Sequence, residues 1–131
     1  MIVVDASVWI DYFNGRDTPE TDALDAWLRQ EIIIVGDITI TEVLQGFRRD
    51  LDFRRALTLL ESLEFREMLG KHVAIESARN YRMLRKKGVT VRKTIDVMIA
   101  TFCLLHGYPL LHADRDFDPM EKHLNLKVLA R

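Results

Sequence analysis

Ile2-Val3-Val4-Asp5-Ala6-Ser7-Val8-Trp9-Ile10-Asp11 opens the chain and points to a strand followed directly by a helix. Three consecutive apolar residues, all β-branched, predict a short buried strand at 2–4. Residues 6–14 follow as a helix that stops near Asn14-Gly15. Asp5 stands between the two. A carboxylate at the lip of a buried strand, just before a helix, is where α/β enzymes often place metal or phosphate chemistry.

Working outward, Thr18-Pro19-Glu20 predicts a second helix running to about residue 30, with Pro at a tolerated first-turn position. Ile32-Ile33-Ile34-Val35 reads as a second strand, punctuated by Gly36-Asp37. Helices are expected at 39–49 and 53–63, and residues 64–69 read as a short strand or a loop. Residues 71–87 form a long helix closed by Gly88, with Lys86 and Lys87 suited to its negative end. The nearly all-apolar segment 94–106 predicts a helix buried on most sides and ending at Gly107. A strand at 110–112, a turn at 113–116, a short helix to about 123 and room for a last strand at 126–129 complete the chain. Strands alternating with helices imply an α/β fold, a small parallel sheet flanked by helices, with residues 1–131 forming a single domain.

The composition is that of an ordinary globular chain, 48% hydrophobic and 30% charged over 131 residues. Cys103 is the only cysteine, so an internal disulfide and a cysteine-based zinc site are both excluded, which fits a reducing cytoplasm. The N-terminal apolar run is broken by Asp5 and lacks a basic leader, so no secretory signal is expected. The run 97–105 is far shorter than the ~20 residues of a membrane span, so no membrane association is expected. A net charge of −1 conceals an asymmetry: six acids and one base lie between Asp5 and Asp25, seven bases and no acid between Arg79 and Lys93. That contrast suits a metal pocket beside a polyanion track, although a solvated basic helix face reads equally well from the same charges.

Asp5 has three counterparts: Glu42, Asp96 and Asp114. Singly, each has a structural explanation. Asp5 caps the helix after it, and Thr39-Ile40-Thr41-Glu42 matches a capping box. Asp96 favours the positive end of its helix, and Asp114 and Asp116 set a turn. Together, all four are expected at helix N-termini, on the sheet edge where active sites form. Like carboxylates gathered there repel unless a cation or protons neutralise them. Oxygen ligands without His or Cys favour Mg²⁺ or Mn²⁺ over Zn²⁺. Asp96 is the most telling, the only charged residue between Lys93 and His106 in a segment built for burial.

Four motifs in this order resemble the PIN domain: the opening around Asp5, Thr39 to Gly46, Thr94-Ile95-Asp96-Val97-Met98-Ile99-Ala100, and His112-Ala113-Asp114-Arg115-Asp116-Phe117. More narrowly, the chain resembles the VapC toxins of type II toxin–antitoxin modules, over essentially its whole length. The resemblance implies a PIN-like α/β/α sandwich and a Mg²⁺- or Mn²⁺-dependent endoribonuclease that inhibits translation or growth until a VapB-type antitoxin binds. It implies that Asp5, Glu42, Asp96 and Asp114 are the catalytic acids, with Asp5, Asp96, Asp114 and Asp116 as metal ligands and Ser7 in support. It further implies a homodimer within a larger toxin–antitoxin assembly. Ala6 departs from the Thr often found after the first Asp, and His112 stands where many relatives carry Thr or Asn; His112 is read as a core or rim residue.

The expected chemistry is in-line attack of water on an RNA phosphodiester, with Glu42 completing the metal shell or orienting the water. Arg48, Arg49, Arg85, Lys86, Lys87, Arg92 and Lys93 are the candidates to steer the RNA backbone. Trp9 and Trp27 read as packing residues or part of an interface, Phe47, Phe53 and Leu57 as an antitoxin slot, and Tyr81 as a base-stacking or a buried ring. Competing functions fit less well. A D-x-D phosphatase needs an acid where Ser7 stands, a receiver domain needs a second acid beside Asp5, and no Gly-rich phosphate loop is present. The remaining alternative is a catalytically inactive PIN-like module that binds RNA or protein.

Overall fold

The computed structural model describes residues 1–130. In chain order the elements are β1 (Ile2–Val4), α1 (Ala6–Phe13), α2 (Pro19–Trp27), β2 (Ile33–Gly36), α3 (Asp37–Leu44), α4 (Asp50–Glu61), β3 (Glu64–Arg66), α5 (Lys71–Lys86), α6 (Thr94–His106), β4 (Leu110–Leu111), a 3-10 turn (Arg115–Phe117) and α7 (Asp118–Leu124). The four strands pair in the order β3-β2-β1-β4, every pairing parallel.

The period-2 alternation of strand side chains divides the core into two layers. Val3, Ile34 and Leu110 face one side and pack with residues of α5, α6 and α7, including Leu84, Ile99, Phe102 and Met120. Ile2, Val4, Ile33, Val35 and Leu111 face the other side, against Val8 and Trp9 of α1, Leu24 of α2, Val43 of α3 and Leu60 of α4. Helices therefore cover both faces, the α/β/α sandwich expected from strand–helix alternation. The strand order reverses between β1 and β4, and in open parallel sheets the crevice at such a reversal, outside the carboxyl ends of the strands, takes the ligand. Asp5 follows β1 there and Asp114 follows β4.

Several local features differ from the sequence reading. First, α3 begins at Asp37 rather than 39 and stops at Leu44, five residues short of the expected end. Asp37 is not strand punctuation: its Oδ1 accepts the Ile38 N–H at 3.0 Å and the Met68 N–H at 2.9 Å, so it starts the helix and anchors the chain after β3. Second, Thr39 therefore lies inside the helix, fully buried, with Oγ1 3.7 Å from Met68 Sδ, and the expected capping box with Glu42 does not form. Third, α4 begins at Asp50, and the last strand shrinks to a single parallel bridge between Leu110 and Val128.

Elsewhere the local signals hold. Thr18 Oγ1 accepts the Thr21 N–H at 3.0 Å, while Thr21 Oγ1 accepts the Thr18 N–H at 2.9 Å, closing the first turn of α2 around Pro19. Gly107 ends α6 with φ of 71°, where a side chain would be strained. Asn80 Nδ2 donates to Thr101 Oγ1 at 2.9 Å, and Thr101 Oγ1 donates to Val97 O at 2.7 Å, tying α5 to the buried α6.

Gly36 is required by contact rather than by its dihedral angles, since a Cβ there would lie only 2.1 and 2.2 Å from Met68 Cγ and Sδ. Met68 is itself fully buried and cannot simply swing into solvent. Gly36→Ala is expected to cost about 1–3 kcal/mol in urea unfolding, the usual range for overpacking. Adding Met68→Ala should recover part of that loss, so the double-mutant cycle should show clear coupling; strict additivity would refute the contact.

Candidate active site

Each acid is positioned by a different device. Asp5 caps α1 in an extended conformation, and its Oδ2 accepts the Ser7 N–H at 3.0 Å. Asp96 is the third residue of α6, buried because that helix packs on nearly all sides. Asp114 caps the 3-10 turn, its Oδ1 accepting the Asp116 N–H at 2.9 Å. Glu42 departs from the expectation, because the early start of α3 places it at the sixth residue of that helix rather than at its N-terminus. It reaches the site as a half-buried side chain from the helix body.

One contact joins the two strand ends, and another shapes the turn after β4. Ser7 Oγ accepts the Ala113 N–H at 3.0 Å, joining the turn after β1 to the turn after β4. His112, buried and packed against Phe117 at 4.9 Å between ring centroids, accepts the Asp114 N–H on Nδ1 at 3.2 Å. His112 is thus the core histidine of the sequence reading, and it also orients the Asp114 backbone.

The carboxylates feel one another. Burial raises the Asp5 pKa, opposed by its hydrogen bonds with Ser7, and the charge of Asp114 adds to the rise. Burial likewise raises Glu42, and the charge of Asp5 adds to it. Asp96 is pushed up to about 7 by burial, with Asp5 and Asp114 adding to the rise and Lys93 opposing it. Asp114 goes the other way: burial would raise it, but hydrogen bonds from Lys93 and the Asp116 backbone, with the Lys93 charge, hold it below the usual carboxylate range.

One oxygen from each of Asp96, Asp114 and Asp116 lies within 4.8 Å of the others, close enough to share a cation. Asp5 lies outside that close trio, although its charge reaches Asp96 and Glu42. Asp5 Oδ1, Glu42 Oε1 and Asp96 Oδ2 are buried and make no hydrogen bond. Buried carboxylate oxygens in that condition need a counter-charge. An all-oxygen donor set with orphaned atoms fits a hard divalent cation.

The basic residues divide. Arg48, Lys86, Lys87 and Arg92 are exposed, and Arg92 lines a small cleft with Lys93, Asp96, Arg115 and Asp116. Arg49 is engaged with Asp52 through two hydrogen bonds, at 2.8 and 3.1 Å. Arg85 sits 5.9 Å above the Tyr81 ring, and Tyr81 packs half-buried against the α5/α6 core rather than standing free. Lys93 departs furthest from its expected place. Its Nζ lies 2.9 Å from Asp114 Oδ2, 3.4 Å from Asp96 Oδ2 and 3.9 Å from Asp116 Oδ2. The one hint in the sequence is its position three residues before Asp96.

Sequence reading also missed Glu20, which lines a cleft with His112, Asp114, Arg115 and Asp118. Trp9 is fully buried and stacks on Phe13, and Trp27 is half-buried in the same layer, so both are packing residues. Phe47 packs on Phe13, whereas Leu57 lines an apolar groove with Val35, Ile40, Leu60, Leu63 and Phe65.

The family model for the PIN domain matches residues 2–122. The chain is 30% identical to the VapC ribonuclease Mb1587 of Mycobacterium bovis, an alignment covering 99% of this chain and 98% of that one. It is 28% identical to Ribonuclease VapC1 of Methanocaldococcus jannaschii, over 97% of this chain and 85% of that one. In three dimensions it resembles a chain of VapBC2 from Rickettsia felis, solved bound to a promoter DNA fragment, with a TM-score of 0.77 at 16% identity over 98% and 97% of the two chains. Matched along nearly its whole length, with the acids of all four motifs drawn to one end of the sheet, the chain belongs to the PIN domain family and, within it, to the VapC ribonucleases.

Proposed function

We propose that this protein is a divalent-metal-dependent endoribonuclease, the toxin of a type II toxin–antitoxin module. The observation that carries the reading is the pair of buried carboxylate oxygens on Asp5 and Glu42 that make no hydrogen bond, beside the trio of Asp96, Asp114 and Asp116. A structural cluster of caps would not leave such atoms unpaired. Nothing favours the alternative of an inactive binding module.

In this reading Asp5, Asp96, Asp114 and Asp116 hold Mg²⁺ or Mn²⁺. When bound, such an ion neutralises phosphodiester charge and makes water a stronger nucleophile. The remaining work belongs to side chains and backbone. Ser7 fixes Asp5 and ties down the Ala113 turn, so the acids from both strand ends hold a constant separation. Glu42, with a raised pKa and an unpaired Oε1, orients the attacking water and accepts its proton. Arg48, Lys86, Lys87 and Arg92 offer exposed positive charge to the RNA backbone.

The proposal extends to partners. The apolar groove around Leu57 and Phe65 suits the apolar face of a VapB-type antitoxin segment, and relatives solved as toxin–antitoxin complexes support such a partner. We place the protein in the cytoplasm as a homodimer. Among the described residues no helix is long and apolar enough to cross a membrane.

Asp96→Asn, purified without wild-type enzyme, is expected to lower RNA cleavage about a hundredfold or more while leaving the circular dichroism spectrum unchanged. Cleavage at the wild-type rate would refute the assignment. Chelation with EDTA should stop the wild-type reaction, and Mn²⁺ or Mg²⁺ should restore it.

Proton linkage gives a further expectation. Asp96 binds its proton more tightly in the folded protein, at about 7 against its ordinary 3.8. Its contribution to metal-free stability is therefore full below the unfolded value and lost as pH rises through about 7. A cation prefers the ionised form, so Mn²⁺ affinity measured by titration calorimetry should rise with pH over the same window and then level off. Affinity independent of pH there would contradict the Asp96 assignment.

A further inference from the structure

Lys93 occupies a position that its own helix does not favour. It is the N-cap of α6, where its side chain supplies no acceptor to the free N–H groups and sets a positive charge against the positive end of the helix. What compensates is across the site. A single ammonium lies within 4 Å of one oxygen from each of Asp96, Asp114 and Asp116, the same three carboxylates that approach within 4.8 Å of one another. The Asp96 N–H donates to Lys93 O at 3.1 Å, so the backbone is pinned while the side chain, about half exposed, keeps an open route to solvent.

We propose that Lys93 is the built-in counter-ion of the metal-free site, standing where the divalent cation would stand and leaving when that cation binds. The proposal rests on the metal-dependent reading above. A Mg²⁺-type ion takes carboxylate oxygens at about 2.1 Å, whereas this ammonium already lies 2.9–3.9 Å from an oxygen of each of the same three carboxylates. Two cations bound to one set of oxygens would lie only a few ångströms apart and repel strongly. The long, flexible lysine stem lets the ammonium swing out with the backbone fixed, as a planar, forked arginine would do less readily. The ammonium thus lessens repulsion among the acids before metal arrives, and the cation must displace it to bind.

The test is direct binding of Mn²⁺, followed by titration calorimetry without RNA, to wild type, Lys93→Met and Lys93→Arg. Lys93→Met keeps the length and apolar stem without the charge. It is expected to bind Mn²⁺ about tenfold or more tightly than wild type, and its metal-free melting temperature should fall while its gain on adding Mn²⁺ grows. Lys93→Arg keeps the charge and should not show the tighter binding. Equal or weaker Mn²⁺ binding by Lys93→Met would overturn this proposal alone, leaving the metal-dependent reading in place. Failure of all three proteins to bind Mn²⁺ would overturn both.

Discussion

Repulsion among carboxylates held at one end of the sheet is the constraint around which the rest of this structure is arranged. Asp5 and Asp114 follow neighbouring strands, β1 and β4, on either side of the point where strand order reverses, so they cannot avoid one crevice. Asp96 cannot turn to solvent, because α6 is buried around almost its whole circumference. The surrounding chain answers with partial positive charge. The Ser7 and Asp116 N–H groups bond Asp5 and Asp114, Asp96 sits in the first turn of α6, and Lys93 reaches three acids at once.

That arrangement works against stability. Buried polar oxygens without hydrogen bonds are among the most costly features a fold can retain, and here Asp5, Glu42 and Asp96 each contribute one to the same crevice. Two well-packed layers offset them. Trp9, Phe102, Phe117, Leu110 and Leu111 are all fully buried, and the β1 side chains alternate between the two layers without an interruption. Proteins commonly carry such strain where chemistry is done and support it elsewhere.

Much of this was legible in the sequence, for reasons particular to each segment. Residues 2–4 and 94–106 announce themselves because burial on all sides demands unbroken apolar runs. Gly107 and Thr18-Pro19 mark helix ends through strictly local chemistry. What was not legible depends on distant partners. Asp37 looks like a turn residue until Met68, 31 positions away, donates to it, and that contact moves the start of α3, dissolves the apparent capping box at Thr39 and places Glu42 in mid-helix. The basic residues near Lys93 looked like one track, but charge counts cannot tell which of them turns inward to Asp114, 21 positions later. PIN-type motifs singled out the acids as candidates, and only the fold revealed their unequal spacing, with Asp116 inside the close trio and Asp5 outside it.

The hydrogen bond from Ala113 to Ser7 spans 106 positions of sequence. Because β4 adds to the sheet beside β1 only after the intervening helices have been made, the first acid waits for its partners until nearly all the chain has emerged. No stretch shorter than Asp5 to Asp114 contains the assembled site. The carboxylate cluster is therefore a property of chain closure rather than of any one segment. Long-range closure of this kind also slows folding. The acids at the two strand ends therefore meet only when distant parts of the chain do.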